Sequence, residues 1–114
     1  MKVVSLDSLQ NQPVEFNGKT VYGVSIKWLI KKEDGAPNYA MRYFEMQPHT
    51  QIPPHSHAWE HEIFILDGEC EITAGSVSKK VFKNSAVFIE PNIEHSYKNS
   101  SDQILKFLCI IPHT

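Results

Sequence analysis

Short apolar-rich segments, separated by turn residues, dominate the hydrophobic pattern of this chain. They are Val21 to Lys31, Tyr39 to Met46, His61 to Leu66, Glu69 to Ala74, Val77 to Phe82, Ala86 to Glu90, His95 to Lys98 and Ile104 to Ile111. Residues 5–12 predict one brief helical turn that Pro13 ends, and no later window has a helical period. The pattern therefore predicts an all-β sandwich or barrel of about nine short strands.

The connections between these segments carry their own predictions. Asp67-Gly68 is the strongest short hairpin pattern that we identify, because this dipeptide suits a two-residue β-turn. Residues 47–54, which are rich in proline, predict a loop. We expect one domain over residues 1–114, with residues 1–20 as an N-terminal arm packed at the barrel or dimer edge.

Two of the predicted strands are apolar on both faces, which bears on oligomeric state. They contain the sequences IFIL and AVFI, in His61 to Leu66 and Ala86 to Glu90. An apolar residue on the outer face of a sheet needs a cover, and a second subunit can supply it. The sequence therefore predicts a homodimer.

Composition and charge exclude several classes of partner. The 114 residues are 41% apolar and 21% charged with a net charge of −2, and no lysine or arginine cluster exceeds a pair. We therefore expect no nucleic-acid binding. The longest apolar run, Phe107 to Ile111, is too short to span a membrane, and the N-terminus lacks a signal-peptide core, so we expect a cytoplasmic protein without a membrane partner. Cys70 and Cys109 form no motif, which favours buried free thiols over a disulfide.

Four histidines form the strongest candidate for chemistry. His55, His57 and His61 lie within seven residues, and His95 follows a proline turn downstream. On an extended chain an i, i+2 pair points to one side, and a turn over residues 58–60 would bring His61 in on a neighbouring antiparallel strand. Neutral imidazole is the commonest protein ligand for transition metals. Solvated surface histidines are the alternative, but the clustering favours a metal site.

The segments that carry these histidines resemble the two motifs of the cupin superfamily. PPHSHAWEHEIFILDG, from Pro53 to Gly68, resembles the first motif, and Pro91, His95 and Asn99 resemble the second. The match is closer to the small single-domain manganese-binding cupins with a four-histidine site, and it covers most of the chain from Val21. The resemblance implies a double-stranded β-helix, that is, a jelly-roll barrel.

Two departures from the usual cupin motifs favour the four-histidine branch. His61 stands where most cupins have a glutamate ligand, and the neighbouring Glu62 would point to the opposite side of a strand. The second motif lacks its usual glycines, but Asn92 tolerates the left-handed geometry of the turn.

The ligand set and the resemblance favour different metals. Imidazole ligands alone suit zinc, copper, iron or nickel. The resemblance implies manganese, so we expect a divalent transition metal, manganese first and iron next, with zinc, copper or nickel as substitutes. Glu60 or Glu62 is expected to orient a ligand imidazole.

The last strand predicts one wall of a pocket beside this site. If Lys106 faces solvent, the residues of opposite parity point inward: Leu105, Phe107, Cys109 and Ile111. The resemblance places Ile52, Phe107 and Cys109 near the metal, and core packing is the alternative interpretation.

Two further residues are candidates at the edge of this pocket. Arg42 is an isolated charge in a predicted strand; it suits either an anionic substrate group or, as we favour, a salt bridge at the rim. Trp59, in the turn between the ligands, is interpreted as a lid over the edge of the site.

These residues favour a metal-dependent oxidoreductase, dioxygenase-like, that acts on a small organic substrate. The alternative is a non-catalytic, metal-dependent small-molecule binding or sensor domain. A sugar isomerase is a weaker hypothesis because we identify no general base, and no catalytic residue beyond the metal ligands is apparent.

Overall fold

The computed structural model describes all 114 residues and contains ten β-strands and two short 3-10 turns. The strands are β1 Gln12–Phe16, β2 Lys19–Ile30, β3 Tyr39–Met46, β4 Thr50–His55, β5 His61–Asp67, β6 Glu69–Ala74, β7 Val77–Phe82, β8 Ala86–Ile89, β9 His95–Asn99 and β10 Leu105–Pro112. The 3-10 turns are Leu6–Ser8 and Lys32–Asp34. The all-β prediction is confirmed, and the first turn lies within the segment predicted to be helical.

The strands form two antiparallel sheets that enclose one core. The large sheet has the order β1-β2-β3-β10-β5-β8 and the small sheet the order β4-β9-β6-β7. Both contribute to a single cluster of 16 buried residues, with Phe44 and Phe107 from the large sheet and Ile52 and Ile72 from the small one. This arrangement confirms the jelly-roll fold as a two-layer sandwich, since no ladder of hydrogen bonds joins the edges into a closed barrel.

Strand β10 lies in the middle of the large sheet and follows the predicted alternation. Its ladder partners are β3 on one side and β5 on the other. Four alternate side chains are buried: Leu105, Phe107, Cys109 and Ile111. Cys70 is buried as well, and both cysteines are free thiols, as the sequence predicts.

The predicted hairpin at Asp67-Gly68 is wrong. Strand β5 belongs to the large sheet and β6 to the small one, so the dipeptide is a corner at which the chain changes sheet. Gly68 has φ +82°, and a Cβ there would lie 2.8 Å from the carbonyl oxygen of Ile104. The corner therefore needs glycine for its backbone angle and for its close approach to β10. Two-residue hairpins form instead at residues 75–76 and 17–18.

The predicted loop over residues 47–54 is also partly wrong, because Thr50–His55 forms a strand. Strand β4 pairs only with β9, and an edge strand tolerates proline since one side of it needs no donors. Pro53 and Pro54 lie in a bulge, where the register passes from Ile52 opposite Tyr97 to His55 opposite His95. The bulge therefore sets His55 beside His95.

The N-terminal residues contain a strand that the sequence analysis did not predict. Strand β1 pairs with β2 at the edge of the large sheet through the turn Asn17-Gly18. Both turn residues have positive φ, 51° and 76°. Asn-Gly is the preferred sequence for such a hairpin turn.

The outer face of the large sheet exposes apolar side chains near its β5 and β8 edge. Phe64 is 40% exposed and Phe88 is 55% exposed, and Leu108 and Ile110 line the same groove. The homodimer stays a prediction: a solution mass at micromolar concentration is expected to show two copies, and a monomer alone would contradict it. The chain contains no helix with the length and hydropathy needed to cross a bilayer.

Candidate metal centre

The four histidines come from both sheets and meet between them at one end of the sandwich. His55 ends β4 and His95 begins β9, where the two residues are ladder partners. His61 begins β5 in the other sheet. Residues 58–60 thus cross between the sheets, and the prediction that His61 lies on a strand neighbouring His55 is wrong. His57 follows the end of β4.

A backbone hydrogen bond joins the segments that carry His57 and His95. The amide of Asn92 donates to the carbonyl oxygen of His57 at 2.7 Å. Asn92 has φ +66°, the left-handed geometry that the sequence predicts for this turn. The turn before His95 and the loop after β4 are thereby held together.

Three of the histidines form a cluster that is slightly wider than a metal site with a bound ion. The ligand nitrogens of His55, His57 and His95 all lie within 4.8 Å of one another. Two nitrogens bound to one ion at about 2.1 Å each lie at most about 4.2 Å apart, so these rings would have to move closer together to share an ion. The fourth ring, that of His61, lies beside this cluster, with its centroid 4.8 Å from that of His95 and 5.3 Å from that of His57.

Contacts at Nδ1 orient two of the rings for metal binding. His55 Nδ1 lies 2.7 Å from the carbonyl oxygen of Pro53, and His95 Nδ1 lies 2.8 Å from that of Ile93. A carbonyl oxygen can only accept a hydrogen bond, so each Nδ1 carries the hydrogen and donates it. The lone pair of each ring is therefore on Nε2.

The His61 ring contacts a cysteine rather than a carbonyl. Its Nδ1 lies 3.3 Å from Cys109 Sγ. The predicted role of Glu60 or Glu62 as an orienting partner is wrong, because both are exposed and the partners of the rings are carbonyls and a sulfur.

The buried Nε2 atoms of His61 and His95 have no hydrogen-bond partner. A buried polar nitrogen without a partner costs free energy, which a metal ion can recover by binding it. The donor set also has the chemistry of a transition-metal site, since imidazole nitrogens suit such ions. The residues therefore fit a divalent metal.

Burial favours the neutral form of three of the rings, those of His55, His57 and His61. Burial lowers the pKa of His57 to about 4 and the pKa of His61 to about 3, and neighbouring positive groups add to the effect. Burial also lowers the pKa of His55, although the Pro53 carbonyl contact opposes the shift. At pH 7 these three imidazoles are in the neutral form that binds metals.

A cavity of about 270 Å³ adjoins the histidines. All four predicted pocket residues line it: Ile52, Phe107, Cys109 and Arg42. Three of them, Ile52, Phe107 and Cys109, also belong to the hydrophobic core. These three residues are therefore both pocket wall and core, the two interpretations that the sequence left open. Most of the lining is apolar, which suits a small organic molecule.

Trp59 and Phe16 complete the wall next to the histidines. The Trp59 ring stacks on His57 with centroids 4.4 Å apart and an 8° angle between the planes. The sequence interpretation placed Trp59 at the edge of the site but missed Phe16, whose ring centroid lies 4.6 Å from that of His55. The signal for Phe16 was the Asn17-Gly18 dipeptide, which predicts the β1–β2 hairpin that carries it.

Arg42 makes no salt bridge, contrary to the interpretation favoured from the sequence. The ion pairs of the chain are Lys2 with Asp34 and His49 with Asp102. An N–H of the Arg42 guanidinium donates instead to Cys109 Sγ at 3.0 Å. Burial raises the pKa of the Cys109 thiol even though Arg42 favours the thiolate.

Two named proteins resemble this chain in sequence as well as in fold. The polyketide cyclase RemF from Streptomyces resistomycificus is 29% identical with a TM-score of 0.89, over 98% of this chain and 79% of that one. The H2HPP isomerase of Bacillus subtilis is 35% identical over 57 residues, which are 49% of this chain. The match spans only 24% of the isomerase.

A further solved structure and a family model agree on the fold family. A cupin-2 domain protein from Rhodospirillum rubrum superposes with a TM-score of 0.83 over 99% of this chain and 75% of that one, at 20% identity. Residues 42–111, which contain all four candidate ligand histidines, match the family model described as Cupin domain, and the chain therefore belongs to the cupin family.

Proposed function

We propose that this cupin is a metal-dependent enzyme that acts on a small organic substrate. In this proposal four side chains hold one divalent ion, manganese first and iron next: His55, His57, His61 and His95. The observation that carries it is the pair of buried, partnerless Nε2 atoms, on His61 and His95, beside a three-histidine cluster. Nitrogen ligands at the edge of an apolar cavity support chemistry on a molecule bound there.

The residues of the chain would bind and orient both partners. A divalent ion would supply a Lewis acid that polarises a substrate oxygen, and a redox-active one would also allow oxidation by dioxygen. The carbonyl groups of Pro53 and Ile93 hold the tautomers of two ligand rings. The aromatic walls, Phe16 and Trp59 among them, exclude water and pack against the substrate.

The similar proteins favour a non-oxidative reaction as the first candidate. RemF is named a polyketide cyclase and the Bacillus subtilis protein an isomerase. The dioxygenase-like oxidoreductase predicted from the sequence is the second candidate. It is supported by the ligand set, because four neutral imidazoles leave the full +2 charge on the ion and leave coordination positions open.

Turnover with and without oxygen uptake separates these candidates. Manganese- or iron-loaded protein would be incubated with a panel of small carbonyl and phenolic compounds while oxygen is recorded and products are measured by mass spectrometry. A product of unchanged mass or a dehydrated cyclic product, without oxygen uptake, supports the first candidate. Oxygen uptake in step with product supports the second.

Two variants make this test specific to the site. His57→Ala is expected to abolish turnover, and His49→Ala, which removes an exposed histidine paired with Asp102, is expected to retain it. Ligand binding without any turnover would contradict the enzyme and favour the binding or sensor domain.

A further inference from the structure

Arg42 occupies an unusual place for an arginine, on the interior face of the large sheet. Its ladder partners are Trp28 on β2 and Cys109 on β10. On β3 it shares a face with Ala40 and Phe44, which both belong to the hydrophobic core. The side chain therefore points between the sheets, where it lines the same cavity as the histidines.

The Arg42 guanidinium lacks a partner that neutralises its charge. Of its five N–H donors, one on Nη2 donates to Cys109 Sγ, and sulfur is a weak acceptor. The Nε atom is buried and has no partner. The rings of Trp28 and Phe44, with centroids 5.6 Å and 5.1 Å from Cζ, hold the group in place. A partly buried cation with free donors favours the binding of an anion.

The rest of the cavity also favours negative charge in a ligand. Glu15 is its one acidic lining residue; it is exposed and forms no ion pair. Neutral imidazoles would leave a bound divalent ion with its full +2 charge, and Arg42 adds one more positive charge. Attraction between opposite charges is stronger in a partly apolar cavity than in water.

The anion-binding group and the proposed metal site are close enough to share a small ligand. Cys109 Sγ lies 3.0 Å from an Arg42 nitrogen and 3.3 Å from His61 Nδ1. A single sulfur atom thus separates the guanidinium from a proposed ligand ring. A second partnerless donor, Trp59 Nε1, lies in the same lining.

We propose that Arg42 selects the substrate class, which is a small organic acid with an apolar or aromatic body. Its carboxylate or enolate oxygens accept hydrogen bonds from the Arg42 fork, and its body packs against Phe16, Ile26 and Trp28. The contact between ligand and metal rests on the proposed function, whereas the contact with Arg42 does not. Arg42 is then a specificity-determining residue of the site.

Benzoate and benzamide test this selection, because they have the same shape and differ in charge. Their affinities would be measured by calorimetry for metal-free and manganese-loaded protein. Wild type is expected to bind benzoate more tightly than benzamide. In Arg42→Met, which keeps the length of the side chain, benzoate is expected to bind at least about tenfold more weakly, since hydrogen bonds to charged groups are the stronger ones. Benzamide affinity is expected to change by less than about twofold.

Two control variants separate the role of Arg42 in anion binding from general effects of charge and folding. Lys98→Met removes an exposed positive charge on β9 and is expected to leave both affinities unchanged. Arg42→Lys keeps the charge without the fork, so its benzoate affinity is expected to lie between those of wild type and Arg42→Met.

Three results would overturn the proposal. These are equal affinity of wild type for the two compounds, equal loss of both in Arg42→Met, and no measurable binding of benzoate. The outcome is independent of the proposed function. If wild type retained no manganese, the proposed metal site would be contradicted. The titration of metal-free protein would still show whether Arg42 selects anions.

Discussion

The two ends of strand β9 each carry a buried polar residue, and the two residues differ in whether their polar atoms have hydrogen-bond partners. His95 begins the strand and is 2% exposed, and Asn99 ends it and is 0% exposed. The Asn99 Nδ2 group donates to the carbonyl oxygens of Met46, Gln47 and Gln103, and its Oδ1 accepts from the Ser101 amide and hydroxyl. The Nε2 atom of His95 has no partner at all.

This difference in hydrogen bonding distinguishes a polar group with a structural role from one that is a candidate for ligand binding. Buried polar atoms are nearly always hydrogen-bonded, so an exception needs an explanation. The partnerless buried side-chain atoms of this protein all belong to the histidine end: Arg42 Nε, Trp59 Nε1, His61 Nε2 and His95 Nε2. The polar atoms of Asn99 are satisfied within the protein, whereas in our proposal a bound ion and ligand satisfy those of the histidine end.

Asn99→Ala tests the structural end and should have the largest effect on stability. The substitution removes the five hydrogen bonds that Asn99 makes with Met46, Gln47, Ser101 and Gln103, so we expect a loss of about 3 kcal/mol or more in the free energy of unfolding. Urea denaturation of the metal-free protein measures it, with Lys98→Ala on the same strand as an exposed control. A loss below about 1 kcal/mol would contradict a structural role for Asn99 and with it the proposed contrast with the histidine end.

Cys109→Ala tests whether the sulfur contact supports a metal ligand. Removal of a partner that orients a ligand ring typically weakens metal binding 10- to 100-fold, so we expect a loss of about tenfold in manganese affinity. Cys70→Ala is the matched control, because Cys70 is an equally buried free thiol outside the cavity lining. Equal affinities for the two variants, in competition with a chelator, would count against the contact between Cys109 and His61.

The pH dependence of stability is a smaller effect at the histidine end. Burial lowers the pKa values of His57 and His61 from 6.5 in the unfolded chain to about 4 and about 3. Between those values the unfolded state binds more protons, so stability falls as the pH falls. We expect the melting temperature of the metal-free protein to drop by roughly 5 °C or more from pH 7 to pH 4.5.

His61→Asn isolates the histidine contribution from that of the acidic residues. The variant removes one of the two groups with the strongest shifts, so its melting temperature should depend less steeply on pH than that of wild type. Identical slopes would show that acid destabilisation arises elsewhere in the protein.

Local chemistry made several features predictable from the sequence. The spacing of the histidines marked the site, and parity along Ile104 to Ile111 placed Cys109 and Phe107 inward. Both depend on neighbours in the chain, since a strand alternates its faces wherever it lies.

Features that depend on distant partners were not predictable in this way. Asp67-Gly68 supplies the positive φ that either a hairpin or a corner between sheets requires, and only the pairing of β5 with β10 decides between them. Pro53 and Pro54 indicate a loop unless the segment lies at a sheet edge, where β4 does. The absence of an acid beside Arg42 likewise depends on two other strands, β2 and β10, which place Trp28 and Cys109 next to it.

The metal content of untagged protein, purified without added metal, tests the central claim most directly. Elemental analysis would compare wild type with His57→Ala and with His49→Ala as the control. We predict about one equivalent of manganese or iron in wild type and in His49→Ala, and little or none in His57→Ala. No stoichiometric metal in wild type, or equal metal in all three proteins, would contradict the assignment of the histidine cluster as a metal centre.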